Sequence, residues 1–112
     1  MLVYRVEHEV NKQGPYVNYV TCMGRHYGDN CPSPRDDGIV HKWDSSTYYG
    51  FKSKKDAVSW FGKDYLTRFS HSRCHVYAYR VDASEVSLGC KHLGFNINKA
   101  NRVRRIYPYE FD

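Results

Sequence analysis

Histidine and cysteine carry chemistry most readily in this chain, and their spacing limits what they can do. Cys22, His26 and Cys31 lie close together, with His41, Cys74 and His75 as further candidate ligands. A structural zinc site gains most when a C-x-x-C pair fixes two ligands locally. The chain has no such pair, so no metal is expected. The four cysteines are too sparse for a disulfide framework and lie behind no secretory leader, so they read as reduced thiols. There is no G-x-S-x-G nucleophile elbow, no P-loop and no G-x-G-x-x-G, which removes the usual support for hydrolase, phosphoryl-transfer and dinucleotide-fold readings.

A second kind of chemistry is recognition. Seventeen Lys and Arg residues against 12 Asp and Glu give a net charge of +5, which favours acidic or phosphate-bearing partners. Lys99, Arg102, Arg104 and Arg105 form the one local basic cluster and would be the nucleic-acid contacts of such a domain. Eleven tyrosines accompany these charges. Tyr4, Arg5, Tyr77, Tyr79 and Arg80 could pair base stacking with phosphate binding on a sheet surface. Tyrosine also suits a half-buried strand, and the octapeptide of an RNA-recognition motif is missing.

The elements that must position these residues follow from periodicity. Leu2, Tyr4, Val6 and His8 alternate with Val3, Arg5 and Glu7, so the chain opens on a strand with Arg5 and Glu7 on the face opposite Tyr4. Asn11 to Pro15 is a turn signal, and Tyr16 to Asp44 reads as one long irregular loop. After the aromatic Tyr48-Tyr49-Gly50-Phe51, Ser53 with Asp56 makes a capping box. Ala57, Trp60 and Phe61 then face the sheet, Gly62 ends this run, and Tyr65, Leu66 and Phe69 continue the apolar face. His75 to Val81 is a central strand, Asp82 to Glu85 a turn or short helical start, and Val86 to Gly89 leads to a further strand near Leu93 to Ile97, with Val103 to Tyr107 the last. The expected fold is a single α+β domain over residues 1–112, a small mostly antiparallel sheet with one or two packed helices. No run approaches the roughly eighteen apolar residues of a membrane span, and the expected location is the cytoplasm.

This order of elements resembles compact ADP-ribosyltransferase-like domains. The resemblance rests on Tyr4-Arg5-Val6-Glu7-His8, on Gly50-Phe51-Lys52-Ser53 before a helix with Ala57, and on Val76 to Val86. It implies that Arg5 or His8, with Ser53, holds a nucleotide such as NAD. It also implies that a late acidic residue supports transfer. The late strand Cys90-Lys91-His92-Leu93-Gly94-Phe95 has no acid, and Glu85 would have to serve under an enzymatic reading. A carboxylate there would stabilise an oxocarbenium-like sugar, whereas Lys91 or His92 would oppose it. The expectation is a binding domain without turnover. The overall style also resembles small proteins of bacteria and their phages, many of them inhibitors. A host protein or nucleoprotein complex is then the expected partner.

Overall fold

The computed structural model describes residues 1–12, 14, 37–39, 45–71 and 73–111. Two three-stranded antiparallel sheets and two helices make an α+β fold. In the first sheet β1 (Leu2–His8) and β6 (Ala100–Ile106) flank β3 (Cys74–Val81). In the second, β2 (Thr47–Gly50) and β4 (Val86–Leu88) flank β5 (Leu93–Asn96). Helices α1 (Lys54–Phe61) and α2 (Lys63–His71) join β2 to β3.

Strand alternation turns the first sheet into a middle layer. On one face Val6, Val76, Ala78 and Ile106 pack on Trp60, Phe61, Leu66 and Phe69 of the helices. On the other, Val3, Tyr79 and Val81 pack on Leu93 and Phe95 of β5. The sheets meet at one corner, where Tyr4 and Phe51 exchange backbone hydrogen bonds of 2.8 and 2.7 Å. The approach is close enough that a Cβ on Gly50 would lie 2.7 Å from the Tyr4 carbonyl oxygen, so only glycine fits.

The expected helix start is present: the Ser53 hydroxyl accepts the Asp56 N–H at 3.1 Å. Gly62, at φ 84, then ends α1 in a conformation that suits glycine. Tyr65 packs against the core that Leu66 and Phe69 of α2 help to form. β3 is central, as its β-branched and aromatic run implies. Two features differ from the sequence reading. Val86–Leu88 is a strand pairing with β5, too short to carry its own periodicity. The last strand begins at Ala100 and ends at Ile106, because register with β3 rather than local pattern sets its length. The expected loop of residues 16–44 lies outside the described residues except for Asp37, Gly38 and Ile39.

Candidate functional site

β6 does not pair evenly with β3. Tyr79 faces Arg102 and Ala78 faces Arg104, so Val103 is an extra residue at a bulge. Arg102 and Arg105 are three apart and would point to opposite faces of a regular strand. The bulge brings both to the face of Tyr77 and Tyr79 and leaves Arg104 on the other. The Arg102 guanidinium lies 3.4 Å above the Tyr77 ring, and that of Arg105 lies 4.8 Å from the centre of the Tyr107 ring.

Glu7 from β1 enters this face with no exposed surface. Its Oε1 accepts from Arg5 Nε at 2.9 Å, and its Oε2 accepts the Tyr79 hydroxyl at 2.6 Å. Arg102 Nη2 lies 2.7 Å from the same Oε2, near enough for strong attraction but not aligned as a hydrogen bond. Arg5 also donates to the carbonyls of Tyr49 (2.9 Å) and Lys12 (3.3 Å) and stacks on Tyr48. Burial lowers its pKa, and the carboxylate of Glu7 opposes the shift. Arg5 is committed here, and Arg102 and Arg105 share this face with it around the Glu7 carboxylate.

At the C-terminal end of β6, Arg104 donates twice to Glu110, at 3.1 and 2.7 Å, and Glu110 also accepts the Tyr107 N–H at 2.8 Å. The Arg104 hydrogen bonds hold the Glu110 carboxyl at about 2, far below its ordinary value. This clasp ties the turn Pro108–Phe111 to the strand. It presents Tyr107 and Tyr109 as parallel rings 5.9 Å apart, with Tyr109 72% exposed. Val103, at the bulge, is exposed as well. Among the described residues no strand pairs with the outer edge of β6.

A second polar centre is built on Asp37. Its carboxylate accepts from the backbone N–H groups of Lys91 and His92, and its Oδ2 lies 2.8 Å from His92 Nδ1. Its carbonyl accepts the Cys90 N–H. The His92 ring packs 4.7 Å from Trp60, and burial lowers its pKa against the pull of Asp37. The imidazole is therefore neutral at pH 7, with Nδ1–H donating to Asp37. Sequence reasoning found no acid at this turn because the acid comes from far away in the chain; Asp37 stood only within the long irregular loop read over Tyr16 to Asp44.

The residues singled out in the sequence are distributed rather than gathered. Arg5 and His8 lie on opposite faces of β1, and His8 Nδ1 accepts the Val10 N–H at 3.2 Å. Ser53 caps α1 on the helical side of the sheet. Glu85 ends the turn Ala83–Glu85, whose first N–H groups Asp82 caps. Of the basic cluster, Lys99 ends the turn Ile97–Lys99, Arg102 is drawn in by Glu7, Arg104 is held by Glu110, and Arg105 is half-buried. The tyrosines divide likewise: Tyr77 and Tyr79 are buried on one face, while Tyr4 and Arg80 belong to the other.

Of the possible zinc ligands, Cys74 is buried and His75 pairs with Glu9 at 2.8 Å, while Cys22, His26, Cys31 and His41 lie outside the described residues. Among the described residues no group of three or more His, Cys, Asp or Glu could hold a metal ion, and Cys90 is an exposed free thiol. No described helix is long and apolar enough to cross a membrane.

No curated protein and no solved structure matches the chain. The family described as Bacteriophage T4 Y00F protein matches residues 1–109, and the chain belongs to that family of small phage proteins.

Proposed function

We propose that this chain is a non-catalytic binding domain that docks on a host protein complex through the outer edge of β6 and the tyrosine pair behind it, and so inhibits a host defence function in the cytoplasm of the infected cell. The observation that carries the reading is the rigid display of Tyr107 and Tyr109 by the Glu110 clasp beside an unpaired strand edge. An open edge offers main-chain hydrogen bonds to a partner strand. Exposed tyrosines give large contact area at little entropic cost, and holding them in place beforehand reduces that cost further. The positive net charge favours a partner with an acidic rim.

A protein partner fits better than nucleic acid because the cluster is not one continuous basic surface. The bulge sends Arg102 and Arg105 to one face and Arg104, held by Glu110, to the other, so the arginines do not line up along one nucleic-acid backbone. The test is a photo-crosslinking side chain placed at Tyr109 and, as a control, at the exposed Thr67 of α2, in lysate of the infected host. The reading expects a protein adduct from position 109 that is absent from position 67 and lost on Glu110→Ala. Adducts to nucleic acid that weaken steeply with salt would favour the basic-cluster alternative. Equal labelling from both positions would overturn the docking reading.

A nucleotide-holding role for Arg5, His8 and Ser53 is the second reading. The observation favouring it is that Asp37 supplies a carboxylate beside His92 at the start of β5, where the late strand has none of its own. That carboxylate is already occupied by N–H donors, so it is not free to support transfer. Titration with NAD, followed by loss of binding in Arg5→Lys, tests it.

A further inference from the structure

We propose that Arg102, Arg105 and Tyr77 form a phosphate-binding site on the bulged end of the first sheet. Three observations converge there. First, Arg102 Nε and Arg105 Nε are buried nitrogens with no hydrogen-bond partner among the described residues. Such donors are costly to leave unmet and point to a ligand or ion that meets them. Second, the bulge at Val103 exists only by giving up a regular rung, and its effect is to place both guanidiniums over one face. Bulges that re-aim side chains are common beside binding sites.

Third, the charge on this face is unbalanced. Glu7 is the carboxylate nearest Arg102, and it is shared with Arg5 and the Tyr79 hydroxyl. Glu9, just past the end of β1, is taken up by Arg73 at 2.6 Å and His75 at 2.8 Å. Arg105 makes no ion pair among the described residues. Tyr77 lies between the two arginines: burial raises its pKa and both guanidiniums pull it down. Its hydroxyl makes no hydrogen bond among the described residues and is a third donor beside the two guanidiniums. A carboxylate presents two oxygens in one plane. A phosphate presents three or more around a tetrahedron and carries more charge, and guanidinium forks suit it.

The site does not depend on the docking reading, because it needs only the isolated chain and a small anion. The probe is inorganic phosphate, added against sodium chloride at matched ionic strength, with thermal unfolding as the readout. With phosphate in roughly tenfold excess over its Kd, the Tm should rise by about 5 °C. Arg105→Gln should abolish the rise, read for each protein as the difference between its Tm in phosphate and its Tm in chloride, since the Arg105 guanidinium lies over Tyr107 and makes no ion pair among the described residues. Tyr77→Phe keeps the ring beneath Arg102 and should weaken binding about tenfold. Arg102 is left intact because its removal would strand Glu7. A rise of equal size in the native protein and in Arg105→Gln would be general salt stabilisation and would overturn the site, as would no rise at all.

Discussion

Glu7 and Tyr79 lean toward each other along the β1–β3 pair. In the register Glu7 faces His75 and Tyr79 faces Val3, yet the Tyr79 hydroxyl reaches Glu7 Oε2 at 2.6 Å across four register positions. The bond passes alongside the Arg5–Tyr77 rung and places a hydroxyl, a carboxylate and two guanidiniums in one buried network. Desolvation and the neighbouring carboxylate push the Tyr79 phenol far above its ordinary range, so it remains a donor at all working pH values.

Glu7→Ala should destabilise the chain by about 3–5 kcal/mol, because it leaves the buried Arg5 charge without its carboxylate. Tyr79→Phe removes one hydrogen bond to a charged group and should cost about 1.5–3 kcal/mol. The two effects should not add, since Tyr79→Phe has little left to lose once Glu7 is gone. Urea unfolding of the single and double variants checks this. Full additivity would mean that the network is not one unit.

Ser53→Ala should cost about 0.5–2 kcal/mol, the ordinary worth of an N-cap, and should fray the start of α1 in amide exchange. Ser53→Asp should restore most of the loss, because its carboxylate can accept the same Asp56 N–H. Failure of that rescue would assign Ser53 a role beyond capping, such as the nucleotide contact the family resemblance suggests.

Gly89 is held to glycine by its neighbours. A Cβ there would strike the Asp37 carboxylate and lie 2.8 Å from Ile39 Cγ1. Gly89→Ala should therefore loosen the Asp37 clasp and let His92 meet solvent. In an NMR titration the His92 pKa should then rise toward 6.5, the ordinary value from which burial lowers it in the native protein. An unchanged titration would show that the clasp tolerates the methyl group.

Local signals were legible in the sequence where a short stretch determined the outcome. The Ser53 cap, the break at Gly62, the faces of Trp60 and Phe61 and the central strand at Val76–Val81 all follow from neighbours a few residues apart. The alternation of Arg5 and Glu7 against Tyr4 was equally readable. The pairing of Glu7 with Tyr79 and of Asp37 with His92 was not, because each joins residues more than fifty positions apart whose types have many other uses. The bulge at Val103 was also hidden. It arises from register against β3, and it alone divides what looks in sequence like one basic patch into an inward pair and an outward Arg104.

Stability should fall with acid in two separate steps. The His92 pKa is lowered in the folded chain, so its contribution is present above the unfolded value of 6.5 and is lost as pH falls through the folded value. Glu110 is depressed from 4.5 to about 2, so its contribution persists to lower pH and is lost between those values. Glu110→Gln should flatten the lower step and leave the upper one. Thermal unfolding between pH 7 and 2 provides the measurement, and high salt should shrink the Glu110 step because its partner Arg104 is half exposed.

The last prediction separates binding from turnover. Incubation with labelled NAD should give neither hydrolysis nor transfer of ADP-ribose to protein or nucleic acid. The carboxylate nearest the late strand, Asp37, is taken up by the N–H groups of Lys91 and His92 and by the His92 ring, so it has little capacity left to stabilise an oxocarbenium-like sugar. Glu85 sits in the turn after β3, outside the Glu7 network that holds Arg5. Binding of NAD without consumption would support the second reading of the function. Label transfer by the native chain, abolished by Glu85→Gln but not by Asp37→Asn, would overturn the non-catalytic reading and place the chemistry at Glu85. Transfer abolished only by Asp37→Asn would place it at the His92 centre instead.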